Sequence, residues 1–221
     1  GVFDRFVKYH IMQSFWNERY AAPEYAYGKA PNVFLASRLP DFPAGRILFP
    51  AEGEGRNAVF AARLGWEAHA FDYSESARMK ALQLAQEQGV QLQYAVADVR
   101  ELDYEPAAFD AIAIIFAHFP SSFRAHCHQV WDRLLKPGGV LLLEAFSKDH
   151  LSYNADGKAG GPREADLLYD AAELEAAFGH YDILESRQVE TELSEGLYHN
   201  GLSSVVQFVA RKPVNGPAFG Q

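Results

Sequence analysis

The chain has 221 residues, 48% of them apolar and 22% charged, with a formal net charge of −9. That is the make-up of one globular domain with its own core. The acidic balance, with no Lys/Arg cluster to relieve it, argues against nucleic acid as a partner.

The opening segment, residues 1–40, is rich in aromatics, among them Phe15, Trp16, Tyr20, Tyr25, Tyr27 and Phe34, and reads as a helical preamble. It has no signal-peptide pattern, and no stretch of the chain approaches the ~18 apolar residues of a membrane span. With Cys127 as the sole cysteine, no internal disulfide can form. The expectation is a soluble cytoplasmic protein, a monomer or small homo-oligomer, with no membrane partner.

Arg46 to Pro50 is an apolar run that predicts a first strand. Asn57 to Leu64 follows as a helix closed by Gly65. Glu67 to Phe71 predicts a second strand, and Ser74 caps a helix running to about Gln88, stopped by Gly89. Gln91 to Ala97 predicts a third strand. Asp110 to Phe116 predicts a fourth, apolar on both faces like a central parallel strand. Phe123, Cys127, Val130, Trp131 and Leu134 then line one face of a helix from about Ser122 to Leu135, with Cys127 buried on it. Lys136 to Gly139 is a turn, and Val140 to Phe146 a fifth strand. Residues 147–166 contain Gly157, Gly160, Gly161 and Pro162; an irregular stretch of that length suggests a lid. Asp170 to Glu173 forms a capping box for a helix to Phe178. Tyr181 to Glu190 and Ser203 to Arg211 predict the last two strands, and residues 213–221 a flexible tail. Alternation of strand and helix argues for a doubly wound α/β fold, and residues 1–212 for a single domain.

Chemistry concentrates at the ends of the strands. Glu52-Gly53-Glu54-Gly55-Arg56-Asn57-Ala58 links the first strand to its helix, and glycines there let the backbone approach a ligand. With Ala58 and Asp72 the pattern formally fits a dinucleotide fingerprint, but Glu52 and Glu54 are poor neighbours for a pyrophosphate. They suit a cationic ligand such as S-adenosylmethionine. Asp72 after the second strand can accept from ribose hydroxyls, and Asp98 after the third from an adenine amino group.

These residues belong to a longer series of motifs. Trp16-Asn17-Glu18-Arg19-Tyr20, Tyr27-Gly28 and Pro31-Asn32 open it. Phe71-Asp72-Tyr73-Ser74, Lys80-Ala81, Leu84-Ala85, Asp98, Phe116-Ala117-His118, Leu135 to Gly139 and Glu144-Ala145-Phe146 continue it in order. Gly160-Gly161-Pro162-Arg163, Leu168-Tyr169 and Tyr198-His199 through Lys212 complete it. Over residues 15–212 the chain resembles the tellurite-resistance-type methyltransferases, relatives of the thiopurine methyltransferase group. The resemblance implies a mostly parallel seven-stranded sheet with helices on both faces and the last strand antiparallel. It further implies Glu52, Gly53 and Gly55 at the methionine end of S-adenosylmethionine, Asp72 at the ribose, and Asp98 with Val99 at the adenine.

The candidate cofactor set is completed by Glu54 and Asn57 in the turn, Tyr73 and Ser74 beside Asp72, and Phe116 after the fourth strand. Trp16 or Tyr20 can lie over the sulfonium. The acceptor is expected to be a small molecule, with a soft anion such as a thiol or metalloid oxyanion favoured. For a hydroxyl or amine acceptor His118 or His199 is the candidate base, and Arg163 can fork onto an anionic group. His118 reads equally as a turn residue before Pro120, and Glu144 rather as a structural acid. His126-Cys127-His128 reads as a core thiol flanked by surface imidazoles, so no metal is expected. An NAD-dependent oxidoreductase and a non-catalytic S-adenosylmethionine-binding module stand as the alternative readings.

Overall fold

The computed structural model describes residues 2–215, so the expected tail lies partly outside the described residues, from position 216 onward. Seven strands form one sheet: β1 (Arg46–Pro50), β2 (Glu67–Asp72), β3 (Gln93–Val96), β4 (Phe109–Ile115), β5 (Leu135–Phe146), β6 (Asp182–Glu195) and β7 (His199–Arg211). Their spatial order is β3-β2-β1-β4-β5-β7-β6, and only β7 runs antiparallel to its neighbours. The mostly parallel α/β sheet expected from the alternating pattern is therefore the architecture.

Seven helices accompany the sheet: α1 (Val2–Ala21), α2 (Val33–Arg38), α3 (Arg56–Arg63), α4 (Glu75–Glu87), α5 (Ser121–Leu134), α6 (His150–Tyr153) and α7 (Ala171–Ala177). Local chemistry sets their ends. Ser74 accepts from the Ala77 amide at the start of α4, and Asp170 from those of Ala172 and Glu173 at the start of α7. The core lies on both faces of the sheet. One layer gathers Ile112, Cys127, Trp131 and Leu143 under α5, the other Ile47, Phe49, Ala58 and Leu142 under α2 and α3. Cys127 is fully buried, as the helical spacing required. Among the described residues no helix is long and apolar enough to cross a membrane.

Three segments differ from their sequence reading. Residues 136–139 are looped out of the ladder between the pairs Phe109–Leu135 and Ala111–Val140, so the turn sits inside β5. The final hairpin is longer than its apolar pattern: β6 runs on to Glu195, β7 starts at His199, and the tip is Gly196–Tyr198. Polar residues on this edge hid the pairing, since strand hydrogen bonds need no apolar side chain. Residues 147–166 are not uniformly irregular either. They hold α6 and a turn of 3-10 helix at Ala165–Leu167, and Ser147 bridges to Tyr169.

The sheet reverses direction of growth between β1 and β4, and a crevice forms at such switch points beyond the strands' carboxyl ends. Both strands leave the sheet there through a non-glycine residue in the left-handed region, Ala51 (φ 48°) and Phe116 (φ 49°). Strain of that kind is maintained only where surrounding structure imposes it, commonly at a functional site.

Candidate active site

The turn after β1 is built around Gly53 and Gly55, at φ +67° and +88°. The Gly53 amide donates to Asp72 Oδ2 at 2.9 Å, and its carbonyl accepts from the Tyr94 hydroxyl at 2.6 Å. A Cβ on Gly53 would stand 2.8 Å from the Tyr20 hydroxyl, and one on Gly55 2.6 Å from the Ala81 Cβ. Only glycine fits between α1 and α4 in this turn. Tyr20 is buried and stacks on Trp16 with ring centroids 5.6 Å apart, so the preamble covers the turn with aromatic surface.

Asp72 also accepts from the Ser74 amide at 3.1 Å. Burial pushes its carboxyl up to about 6 against the pull of the Gly53, Ser74 and Tyr73 amides. Glu52 accepts from the Ala58 amide at 2.9 Å and so caps α3, whose N-cap Gly55 has no side chain to offer. Burial raises Glu52 to about 8, with Arg56 and the helix amides opposing. Asp98, at the end of β3, is buried and held by the Arg100 guanidinium, with Nε at 2.8 Å. It accepts further from the Tyr73 hydroxyl at 3.2 Å. Val99 beside it is buried.

Three residues named from the turn and its neighbours are engaged by other protein groups. Glu54 accepts from Lys80 Nζ at 2.5 Å and the Ala26 amide at 2.7 Å, which ties the preamble to α4. The Asn57 side chain accepts from the Asn32 amide at 2.9 Å. Ser74 donates its hydroxyl to Asn17 at 2.7 Å while capping α4. All three are buried and engaged by protein groups because the preamble folds down onto this edge, a packing no local pattern announces.

On the other side of the crevice, Phe116, Phe146, His118, His150 and His199 form one aromatic cluster. Phe116 lies 4.7 Å from both Phe146 and His199, and Phe146 stacks on His150 at 4.1 Å and His118 at 5.7 Å. His118 Nδ1 sits 2.7 Å from the Leu167 carbonyl, while its buried Nε2 has no hydrogen-bond partner. Burial lowers the His118 imidazole to about 3 and also lowers His150 and His199. Arg163 is exposed, and its guanidinium folds back over Gly157 in its own loop.

Sequence reasoning passed over the buried polar hub between these two halves. Asn32 donates to Glu144 at 2.8 Å and to Glu195 at 3.0 Å. Glu195 pairs with Arg56 at 3.0 Å, and Gln207 donates to Glu144 at 2.6 Å. Burial would raise the Glu195 carboxyl, but the His199 imidazole and the Arg56 guanidinium beside it hold it down at about 2. Among the described residues no group of three or more His, Cys, Asp or Glu side chains could hold a metal ion.

Residues 47–139 match a family described as a methyltransferase domain. No curated protein matches the chain in sequence. Among solved structures, the chain is similar to one from work on the conversion of a disulfide bond into a thioacetal group during echinomycin biosynthesis. That match has 18% identity, covers 94% of this chain and 92% of the other, and has a TM-score of 0.73. TehB from Haemophilus influenzae aligns at 15% identity over 90% of this chain and 66% of its own, with a TM-score of 0.67. Magnesium protoporphyrin IX methyltransferase from Synechocystis PCC 6803, solved with bound SAH, aligns at 18% identity over 80% of each chain, with a TM-score of 0.60. At these identities the likeness concerns the fold. The methyltransferase-domain match over residues 47–139, on that fold and with strand-end acids around a glycine turn, supports methyl transfer from S-adenosylmethionine.

Proposed function

We propose that the chain transfers a methyl group from S-adenosylmethionine to a small-molecule acceptor that enters between the ends of β4 and β5. The observation that carries this reading is the joining of Gly53 and Asp72 beyond the ends of β1 and β2, with Glu52 in the same turn and Asp98 just beyond the end of β3. Bound there, S-adenosylmethionine supplies a methyl group on a sulfonium that is already a strong electrophile. The residues present suit it. Glu52 faces a cationic end, Asp72 can accept from ribose hydroxyls, and Asp98 with Val99 forms the adenine end once Arg100 shares its carboxylate. A pyrophosphate is less well served, because Glu52 already takes the Ala58 amide at the start of α3.

In this reading the protein's contribution is alignment and exclusion of water. Gly160 packs on the Tyr198 carbonyl and Gly161 on Phe146, which supports the loop and the hairpin tip as the cover of the acceptor pocket. The same tip meets the preamble, where Leu197 donates to the Ala26 carbonyl at 2.8 Å.

The motifs of residues 15–212 support a place beside the tellurite-resistance-type methyltransferases. Taken alone, that resemblance favours a soft anion as the acceptor class. The test is a methyl-transfer screen with purified protein across thiols, metalloid oxyanions, phenols and amines. Turnover on one class is expected; cofactor binding with no turnover on any would instead support a non-catalytic binding module.

A further inference from the structure

The imidazole of His118 is fixed in one tautomer by its neighbour. The Leu167 carbonyl can only accept, so Nδ1 carries the proton and donates at 2.7 Å. Nε2 is therefore a bare lone pair, buried and without a hydrogen-bond partner among the described residues. Leaving such an acceptor unmatched costs free energy, which is recovered when a donor arrives. Around it the walls are flat and apolar: Phe146 stacks at 5.7 Å with 19° between the planes, and Tyr169 meets the ring edge-on at 5.6 Å.

Charge near His118 does not favour an anion. His150 donates from Nε2 to the Gly160 carbonyl at 2.9 Å, and its Nδ1 accepts from the Ser204 amide at 3.3 Å. That assigns one proton and neutrality. His199 is buried, with Nδ1 3.8 Å from Glu195, beyond hydrogen-bond reach. Arg124 donates to the carbonyls of Phe119, Asp166 and Leu168 and pairs with Glu173 at 3.5 Å, its Nε alone lacking a hydrogen-bond partner among the described residues, and Arg56 is paired with Glu195. The buried carboxyls Glu144 and Glu195 stand nearby in the hub. An anionic acceptor at Nε2 would meet a lone pair and neutral rings, and the buried guanidiniums of Arg124 and Arg56 are each paired with a glutamate already.

Resting on the methyl-transfer reading above, we infer that the acceptor is an uncharged aromatic compound bearing a hydroxyl, a phenol, whose O–H donates to His118 Nε2. In the transfer, the acceptor oxygen's lone pair forms the bond to the methyl carbon, and the carbon–sulfur bond breaks with its electron pair left on sulfur. The O–H proton passes to His118 Nε2. One positive charge enters the step on sulfonium and leaves it on imidazolium, so the step adds no positive charge to the site. A base kept neutral by burial is what such a site requires, since a second cation beside the sulfonium would repel it.

The experiment uses the full chain loaded with S-adenosylhomocysteine and the probes 2-naphthol, 2-naphthoate and tellurite. Calorimetry is expected to show 2-naphthol bound at least about tenfold more tightly than either anion. Nitrogen-15 NMR is expected to show the bare His118 Nε2 resonance shifting towards the protonated position as 2-naphthol is added. His118→Ala should cut methyl transfer to phenols at least about tenfold, while His118→Gln, which keeps a polar acceptor, recovers part of the 2-naphthol affinity. Preferred binding of an anion, or a His118 signal unmoved by 2-naphthol, overturns the inference and leaves methyl transfer standing. Failure of S-adenosylhomocysteine to bind overturns the methyl-transfer reading itself. The NMR measurement needs no variant, so a folding defect in either substitution does not remove the test.

Discussion

The Gly53 amide donates to the Asp72 carboxylate at 2.9 Å, which ties the turn after β1 to the acid closing β2. Asp72→Ala should weaken S-adenosylmethionine binding by about 1–3 kcal/mol, the cost of losing hydrogen bonds to a buried charged acceptor. Calorimetry checks this, and unchanged affinity would remove Asp72 from the cofactor site.

Gly53 also sets the height of the preamble above the turn. Gly53→Ala forces a Cβ to φ +67° and to 2.8 Å from the Tyr20 hydroxyl. The expected loss is more than about 1 kcal/mol in denaturant unfolding. Tyr20→Phe removes the atom in the way, so the pair should be non-additive, with the second change relieving part of the first. Strict additivity would mean that Tyr20 does not rest on the turn.

Proton release should accompany cofactor binding. In the free protein Glu52 lies at about 8 and Asp72 at about 6, both raised by burial. A cation near Glu52 and hydroxyl donors at Asp72 favour the ionised forms, so binding expels protons below those values. Affinity should therefore rise with pH between about 6 and 8, by at most about tenfold per unit for each proton released, and level off above. Calorimetry in buffers of different ionisation heat measures the released protons directly. Glu52→Gln should flatten the upper part of the curve; an unchanged profile would assign the proton elsewhere.

Asn32 holds two buried carboxylates, Glu144 and Glu195, through one amide. Asn32→Ala leaves each with one donor fewer and should cost about 1–3 kcal/mol per unmatched group. Asn32→Asp should be worse at neutral pH, because it adds a third carboxylate, and the gap between the two variants should narrow as pH falls. Equal unfolding midpoints for both variants at neutral pH would show that the hub is not electrostatically tight.

Cys127 is fully buried under α5 and its thiol is pushed up to about 12 by burial. Native protein should react with a thiol reagent no faster than it unfolds, since the thiolate is the reactive form. Labelling within seconds would place this helix in another register.

Much of this was written locally. The apolar runs at Arg46–Pro50 and Asp110–Phe116 and the alternation of strand with helix determine a parallel α/β sheet, because burial on a given face follows from side-chain spacing along the chain. The acids at Glu52, Asp72 and Asp98 stand at strand ends for the same reason, and so point to one edge and one cationic cofactor. What each acid touches was decided by tertiary structure. Asn32 meets Glu144 and Glu195 across 112 and 163 residues of sequence, and Glu54 leaves the cofactor turn for Lys80 and Ala26. The extension of β6 to Glu195 is similar, since an edge strand is specified by its partner's backbone and carries polar side chains freely. The lone pair on His118 is likewise created by Leu167, 49 residues on, which chooses the tautomer. Local periodicity encodes which side of an element is buried; which buried polar groups then satisfy one another depends on the packing of distant segments, and only the folded chain determines it.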